Sequence, residues 1–484
     1  MKHFLTSRMV HIALPAFVAL LIGFAATGCK SMSADKTDTS RPTFDVVAFG
    51  ANGNDATPDT TAFKAAITAC AQAGGGTVRV PRGTYIVQPL DFVSGMTLHL
   101  DAGAIMLFTN DEADYPLVET RWEGIMREGR RPCLWAKGCR DVAISGSGII
   151  DGQGAKWWAP IQQMRRERAE LLKKYPTTAP ASRPWEQDAS LRRPPLVQFR
   201  DCINVNIEGV TFQNSPFWTM HLLFSDNVTV RNAQFLAPQD GPNTDAMDID
   251  SCRKVLVEGC HASVGDDAFT LKSGKDEDGR RVGRPTEDVT VNDCSVAHAH
   301  GGVVIGSETS GSVRRVRFKN CTFDGTDAGV RIKSARGRGA FVEDVQASDI
   351  RMNNVKTAIV VSMRYQQRTG AMPEPVSERT PRFHDILISN VTAHESNRAA
   401  TIEGLEEMPI MNVTISNFDV TCKEGVIIND ADNIEFNKVK IVVETVPTMK
   451  SDRFSNIRIK DWTESQRPAS TTAPSTAPVT AAAK

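Results

Sequence analysis

Four short segments carry acidic, imidazole and cationic side chains at matching places: Thr244-Asp-Ala-Met-Asp-Ile-Asp-Ser, Asp266-Asp-Ala-Phe-Thr-Leu-Lys-Ser, His300-Gly-Gly-Val-Val-Ile-Gly-Ser and Asp327-Ala-Gly-Val-Arg-Ile-Lys-Ser. Asp245, Asp266 and Asp267, held within a few ångströms of each other, cannot all ionise freely, because like charges at that range raise at least one pKa. One carboxyl then keeps a proton to donate while another stays ionised to accept. Acid-catalysed reactions require that division of labour. His300 stands beside this group, and Arg331 and Lys333 bring two cations to the same face. The planar fork of Arg331 suits a carboxylate. A lone aspartate in such a place is most often a turn cap, but six such groups stacked on one face are poorly explained that way.

Stacking is what the rest of the sequence supplies. A phrase of polar, apolar, polar, apolar residues followed by a turn recurs at Asp141, Asn204, Asn227, Lys254, Asp288, Arg315, Asp344, Asp385, Asn412, Asn433 and Asn456. From Asn204 the intervals are 23, 27, 34, 27, 29, 41, 27, 21 and 23 residues, each holding several short alternating strands and little helical periodicity. Short strands repeating in this way predict an all-β chain, a right-handed parallel β-helix whose coils stack at about 4.8 Å. The fourth and sixth residues of each catalytic segment then point inward and the first, third, fifth and seventh outward. The small third residues, Ala246, Ala268, Gly302 and Gly329, read as the floor of a trough. Asp245 and Asp267 fall in the second column, which alternation would bury, so a bend is expected there. The serines in the eighth column read as a structural hydroxyl ladder. Cys260, Cys294 and Cys321 fall six residues into the phrase, and Cys139, Cys202 and Cys252 two residues before it. Both sets read as interior ladders of small thiols, with disulfides between coils left open.

Length, charge and ends set the outer limits. At about 150 residues per domain the 484 residues suggest three domains, yet the repeat makes residues 43–463 one. The 56 Lys and Arg against 57 Asp and Glu give a charge of -1, so no global field draws nucleic acid or an anionic membrane. Residues 59–73 predict a helix capping the open end of the coil, stopped by Gly74-Gly75-Gly76. An insertion at 155–195 contains a basic helical stretch around Arg165–Lys174, read as a solvated face without catalytic weight. Lys2 and Arg8 precede an apolar run from Met9 to Phe24, and Ala26-Thr-Gly-Cys29 follows. This ending resembles a bacterial lipobox, which implies a signal peptide over 1–28, lipidation at Cys29 and a tether over 29–42. An ordinary cleaved signal is the alternative. Anchoring through this lipid, at the outer membrane, is expected. Residues 464–484, mostly Ala, Thr, Ser and Pro, read as a tail outside the fold.

Asn243-Thr-Asp-Ala-Met-Asp, Gly265-Asp-Asp-Ala-Phe-Thr-Leu-Lys-Ser-Gly, His300-Gly-Gly-Val-Val-Ile-Gly-Ser and Arg331-Ile-Lys together resemble glycoside hydrolase family 28, the polygalacturonases and their relatives, here in a bacterial lipoprotein form. The resemblance covers about residues 43–460, with Ala246, Ala268 and Ala299 departing from the usual pattern. It implies hydrolysis of α-1,4-galacturonosyl linkages with inversion. Asp266 is then the general acid, Asp245 and Asp267 activate water, and His300 holds the local hydrogen bonds. Arg331 and Lys333 grip the substrate carboxylate, and Asn243 and Tyr365 bind substrate. A pectic polysaccharide or oligogalacturonide is the implied partner, of a monomer needing no cofactor or metal.

Two other readings use the same coil. A calcium-dependent pectate lyase is one, and the run Asp276-Glu-Asp-Gly279 invites it, but the run lacks the alternating ligands of a calcium loop and reads better as a solvent-facing lid. A non-catalytic glycan-binding protein is the other, and it gives no reason for a stacked acid, base and cation cluster. Insertions near 275–286 and 364–382, with a wall from Tyr115–Gly124, would close one end of the trough and favour exo action.

Overall fold

Asparagine and aspartate tolerate left-handed backbone better than other residues with a side chain, and the repeat phrase uses them to turn its corners. In the computed structural model, which describes residues 41–175, 184–367 and 371–468, the first residue of all eleven phrases has φ between 47° and 60°. The residue five positions later is left-handed as well, at Gly146, Gly209, Asn232, Gly259, Asp293, Asn320, Asp349, Asn390, Asn417, Lys438 and Asp461. Two fixed corners with alternating residues between them make each coil superimpose on the next. Side-chain amides then bridge the corners: Asn204 Nδ2 donates to Asp141 Oδ1, and Asn227 Nδ2 to Asn204 Oδ1, each at 2.7 Å.

The coils pair in one parallel sheet of 29 strands among the described residues, a right-handed β-helix. The elements that matter for the site are few. A helix α1 (Thr60–Gln72) buries Ala62, Phe63, Ala66, Ile67 and Cys70 and ends before Gly74 at φ 76°. Asp59 precedes it without capping it, and instead accepts from the Asn52 amide at 2.6 Å. An antiparallel hairpin of β1 (Leu117–Trp122) and β2 (Ile125–Arg130) leaves the coil. The insertion holds α2 (Ala155–Lys174), longer at its start than the basic stretch alone suggested because Trp157, Trp158 and Ile161 bury there. The strands of the four catalytic segments are β3 (Met247–Asp250), β4 (Phe269–Lys272), β5 (Gly301–Ile305) and β6 (Ala328–Lys333). Between β4 and β5 lies a short helix α3 (Asp276–Val282).

Register along these strands places Met247, Phe269, Val303 and Val330 in one column and Ile249, Leu271, Ile305 and Ile332 in another, all buried. This apolar spine is the core. From Arg41 onward the chain forms one unit, so the three domains suggested by length are not found. The nine described cysteines are free and buried. One column is not purely an apolar ladder: Cys202 N donates to Ser225 Oγ, Ser225 N to Cys252 Sγ and Cys252 N to Thr286 Oγ1, at 3.1, 3.3 and 3.4 Å. Thiol and hydroxyl both accept a corner amide there, so they interchange. Strand structure continues through Gln466, and Arg467 N donates to Val443 O at 2.9 Å, so the tail begins later than residue 464. The signal segment, Cys29 and residues 469–484 lie outside the described residues.

Candidate active site

The backbone just before each catalytic strand decides which side chains face out. Alternation predicted the small third residues to be the trough floor, and the structure corrects this. A Cβ on Gly302 would come within 2.7 Å of the Phe323 ring, and one on Gly329 would run into the Met352 sulfur, so both face the interior. Ala246 and Ala268 are core residues too. Third and fourth residues therefore both point inward, which a regular strand does not allow, and the bend this requires turns the second column out. Asp245 and Asp267 reach the trough by that bend. The floor beside them is Gly301, where an added Cβ would lie 3.1 Å from Asp267 Oδ1 and 3.4 Å from Arg331 Cδ.

The bend brings the three aspartates together. One oxygen from each of Asp245, Asp266 and Asp267 lies within 4.8 Å of one from each of the others. Asp245 and Asp267 are buried, and Asp266 is only partly so. From the next coil His300 Nδ1 sits 3.1 Å from Asp266 Oδ1, and its backbone N–H donates to Asp266 O at 2.9 Å. Arg331 Nη1 and Lys333 Nζ donate to the two oxygens of Asp267 at 3.0 and 2.5 Å. Both cations also stand over Tyr365, at 6.0 and 5.0 Å from its ring centroid. Asn243, left-handed at φ 56°, accepts at Oδ1 from Arg193 Nη2 at 2.8 Å. All eight residues expected from the sequence, Cys29 aside, are thus tied into one neighbourhood.

Charge is distributed unevenly across it. Burial, then Asp248 and Asp266, push the Asp245 carboxyl well above the usual carboxylate range. Burial acts the same way on Asp267, but Lys333, Arg331 and Lys272 outweigh it and hold that carboxyl well below its ordinary value. The two carboxyls are thus pushed in opposite directions, Asp245 towards keeping a proton and Asp267 towards staying ionised. The hydrogen bond to Asp266 raises the His300 pKa against the opposing effect of burial. Three close carboxylate oxygens are also a place where a cation would be shared. Arg331 and Lys333 already bring two positive charges to Asp267 there.

Four functional neighbours were missed from the sequence. Lys272 is buried under the cluster, 3.1 Å from Glu308 Oε2 and 3.5 Å from Asp248 Oδ1, with Nζ 5.0 Å from the centroid of the Trp218 ring. Glu308, half-buried and facing Lys272 and Arg338, is held down to about 2. Asp248 is fully buried, neither oxygen has a hydrogen bond, and burial pushes its carboxyl well up. The signal for Asp248 and Lys272 was present, since they occupy the outward fifth and seventh columns. Arg193 had no such signal. It comes from the insertion that was given no catalytic weight, and it donates to Pro216 O, Pro242 O and Asn243 Oδ1 at 2.8, 2.6 and 2.8 Å. Burial, with Arg165 adding to it, lowers the guanidinium to about 9. Ser251, Ser273 and Ser334 are buried structural hydroxyls as expected. The acidic run 276–279 is no solvent-facing lid: it opens α3, whose Asp278 accepts from Met126 N at 2.9 Å on the hairpin.

Comparison with known proteins places this arrangement. The family model of glycosyl hydrolases family 28 matches residues 182–446, which include every residue of the cluster. The chain is 27% identical over 407 residues to a probable polygalacturonase of Vitis vinifera, covering 82% of this chain and 76% of that one. It is 26% identical over 444 residues to exo-poly-alpha-D-galacturonosidase of Dickeya chrysanthemi, covering 85% and 73%. The crystal structure of an exopolygalacturonase from Thermotoga maritima matches with a TM-score of 0.69 and 31% identity over 87% of this chain and 92% of that one.

Proposed function

Belonging to glycosyl hydrolases family 28, the chain is a glycoside hydrolase, and we propose that it cleaves α-1,4-galacturonosyl linkages of pectic polysaccharide or oligogalacturonides from the chain end, with inversion. The observation that carries the reading is the three-aspartate cluster under a cation pair, with one oxygen from each carboxyl inside 4.8 Å. Asp266, the most accessible of the three, gives its proton to the glycosidic oxygen. Water enters beside Asp245 and Asp267, bonds to the anomeric carbon as the glycosidic bond breaks, and yields its proton to that pair. His300 orients the Asp266 carboxyl through Nδ1. Arg331 and Lys333 receive the uronate carboxylate, Tyr365 lines the same pocket beneath them, and Asn243 presents its amide to the sugar. A neutral sugar would leave the basic pair facing no second anion, which supports a uronate substrate.

The test is product chemistry. Polygalacturonate digestion should raise reducing ends without an unsaturated, ultraviolet-absorbing product and should continue in excess chelator. An absorbing product, or arrest by chelator, would replace the hydrolase with a calcium-dependent lyase. Binding without new reducing ends would leave only a glycan-binding protein. Inversion predicts that the first anomer seen by NMR is opposite to that of the substrate linkage. The basic start, apolar run and Cys29 support export and anchoring by acyl chains, at the outer membrane. Labelled palmitate should enter the intact chain and not Cys29→Ser; label in the variant would remove Cys29 from that role.

A further inference from the structure

Arg331 and Lys333 have two claimants. In the structure without substrate both donate to Asp267, at 3.0 and 2.5 Å, and both are the cations that the proposed uronate carboxylate must meet. Lys333 is nearly buried, with side-chain exposure of 7%, so no other anion of the solvent screens its hold. The remaining groups facing Asp267 are fixed. Asp245 lies on the preceding coil and Asp266 beside it, Lys272 ends the strand β4 that follows it, and His300 lies on the next coil. Asp248, one strand earlier, also feels its charge. Of all these, only the basic pair has a partner that arrives and leaves with substrate.

We propose that the substrate carboxylate switches on Asp267 as the base: by engaging Arg331 and Lys333 it loosens their grip on Asp267 and sets a second negative charge beside it. Both effects have the same sign. Sharing the two cations removes stabilisation from the ionised carboxylate, and like-charge repulsion favours its protonation, so Asp267 accepts the proton of water more readily. The balance of the step is complete. The water oxygen bonds to the anomeric carbon, its proton goes to Asp267, the glycosidic bond breaks, and the Asp266 proton goes to the leaving oxygen. Proton return from Asp267 to Asp266 restores the resting enzyme. A substrate without the carboxylate leaves Asp267 clamped and weakly basic. Selectivity for uronates is then a matter of turnover as well as of binding. This inference rests on the galacturonate-hydrolase reading and adds to it the link between recognition and catalysis.

The experiment compares oligogalacturonate with its methyl ester on wild type, Lys333→Met and Arg331→Gln. On the acid, both variants should lose about tenfold or more in kcat/KM, the scale of a lost hydrogen bond to a charged group. On the ester, both should turn over several-fold faster in kcat than wild type, because Asp267 is released. Ester kcat unchanged or lower in variants of wild-type melting temperature overturns the proposal, since cations that only bind substrate would give that result. Wild type alone provides a second reading that needs no variant. The acid limb of kcat on oligogalacturonate should lie at higher pH than that of kcat/KM, because the base gains affinity for protons once substrate is bound. Coincident limbs overturn it as well. If wild type cleaves neither substrate, the functional reading itself fails, whereas cleavage of the acid without ester gain in the variants removes only the switch.

Discussion

Asp266 and Asp267 are consecutive in the chain, yet the coil gives them opposite partners. Asp267 turns into the pair Arg331 and Lys333, and Asp266 meets the His300 ring at 3.1 Å. The bond to Asp266 raises the His300 pKa above 6.5, so the Asp266–His300 pair keeps the proton that Asp266 delivers past the pH at which an unfolded histidine would lose its own. The sign follows. Whatever this pair contributes is fully present below 6.5 and disappears as pH rises through the folded value. With a side-chain exposure of 42%, His300 gives little stability, and its effect belongs to catalysis. Accordingly kcat/KM should decline on a basic limb above pH 6.5, and His300→Asn should cost about tenfold or more and lack that limb while melting like wild type. A variant that keeps the limb would assign it to another group. Of the residues involved, the aspartates, His300, Arg331 and Lys333 were legible because their columns are set by strand register. Arg193 was not. Its position depends on the path of an insertion, and no periodicity in the sequence constrains that path.

At the scale of elements the same contrast recurs. The corners of the coil are half legible: the polar residue opening each phrase marks one, while the second, five residues later, is Asn, Asp or Gly in ten phrases and Lys438 in the other and reads in the sequence only as a turn. Strict alternation places the trough floor at Ala246, Ala268, Gly302 and Gly329, and it fails there because a bend before each strand resets the phase, with left-handed Asn243 opening the first. The hairpin was expected as a wall, and what fastens it lies outside any short-range pattern. Arg121 on β1 donates from Nη1 to Asp250 Oδ1 on β3 at 2.7 Å, both fully buried, and its guanidinium lies 4.5 Å from the Phe224 ring centroid. Burial pushes the Asp250 carboxyl up, but Arg121 and His221 outweigh it and hold it at about 2 against an ordinary 3.8. Removing one partner of a buried pair leaves an uncompensated charge, so Arg121→Met should cost about 3–5 kcal/mol in urea unfolding. Because the folded pKa is depressed, the stability from this pair is present above 3.8 and lost as pH falls to about 2. The gap between wild type and variant should therefore narrow over that acid interval; a constant gap would mean that Asp250 is not its source.

For the molecule as a whole, a β-helix offers a continuous outward face along which a polysaccharide could lie past the site in both directions. The end-on cleavage proposed above requires one direction to be closed. Gln198, His221 and Asp250 occupy outward columns beside the cluster, yet none is exposed, and residues of the hairpin bond Gln198 and Asp250. Thr120 Oγ1 bonds Gln198 at 3.1 Å and Arg121 reaches Asp250, while Lys275 N donates to Gly124 O at 2.8 Å and Met126 N to Asp278 at 2.9 Å, fastening the tip to α3. The aromatic stack of Trp122, Phe217 and Trp218, with centroids 5.0 Å apart, fills the space behind it. If this hairpin is the wall, a chain entering from the open side presents only its end to Asp266. Chromatography of a polygalacturonate digest should accordingly show monomer from the first time points, whereas an early ladder of oligomers would mean that the chain passes the wall. The tip itself provides the control. Gly124 is left-handed at φ 79°, and a Cβ there would lie 2.7 Å from Lys275 Cβ and 2.8 Å from Glu308 Cγ, so Gly124→Ala must lift the hairpin from α3. That variant should release a rising share of oligomers at the expense of monomer. A product pattern identical to wild type would place the closure of the trough elsewhere than at this hairpin.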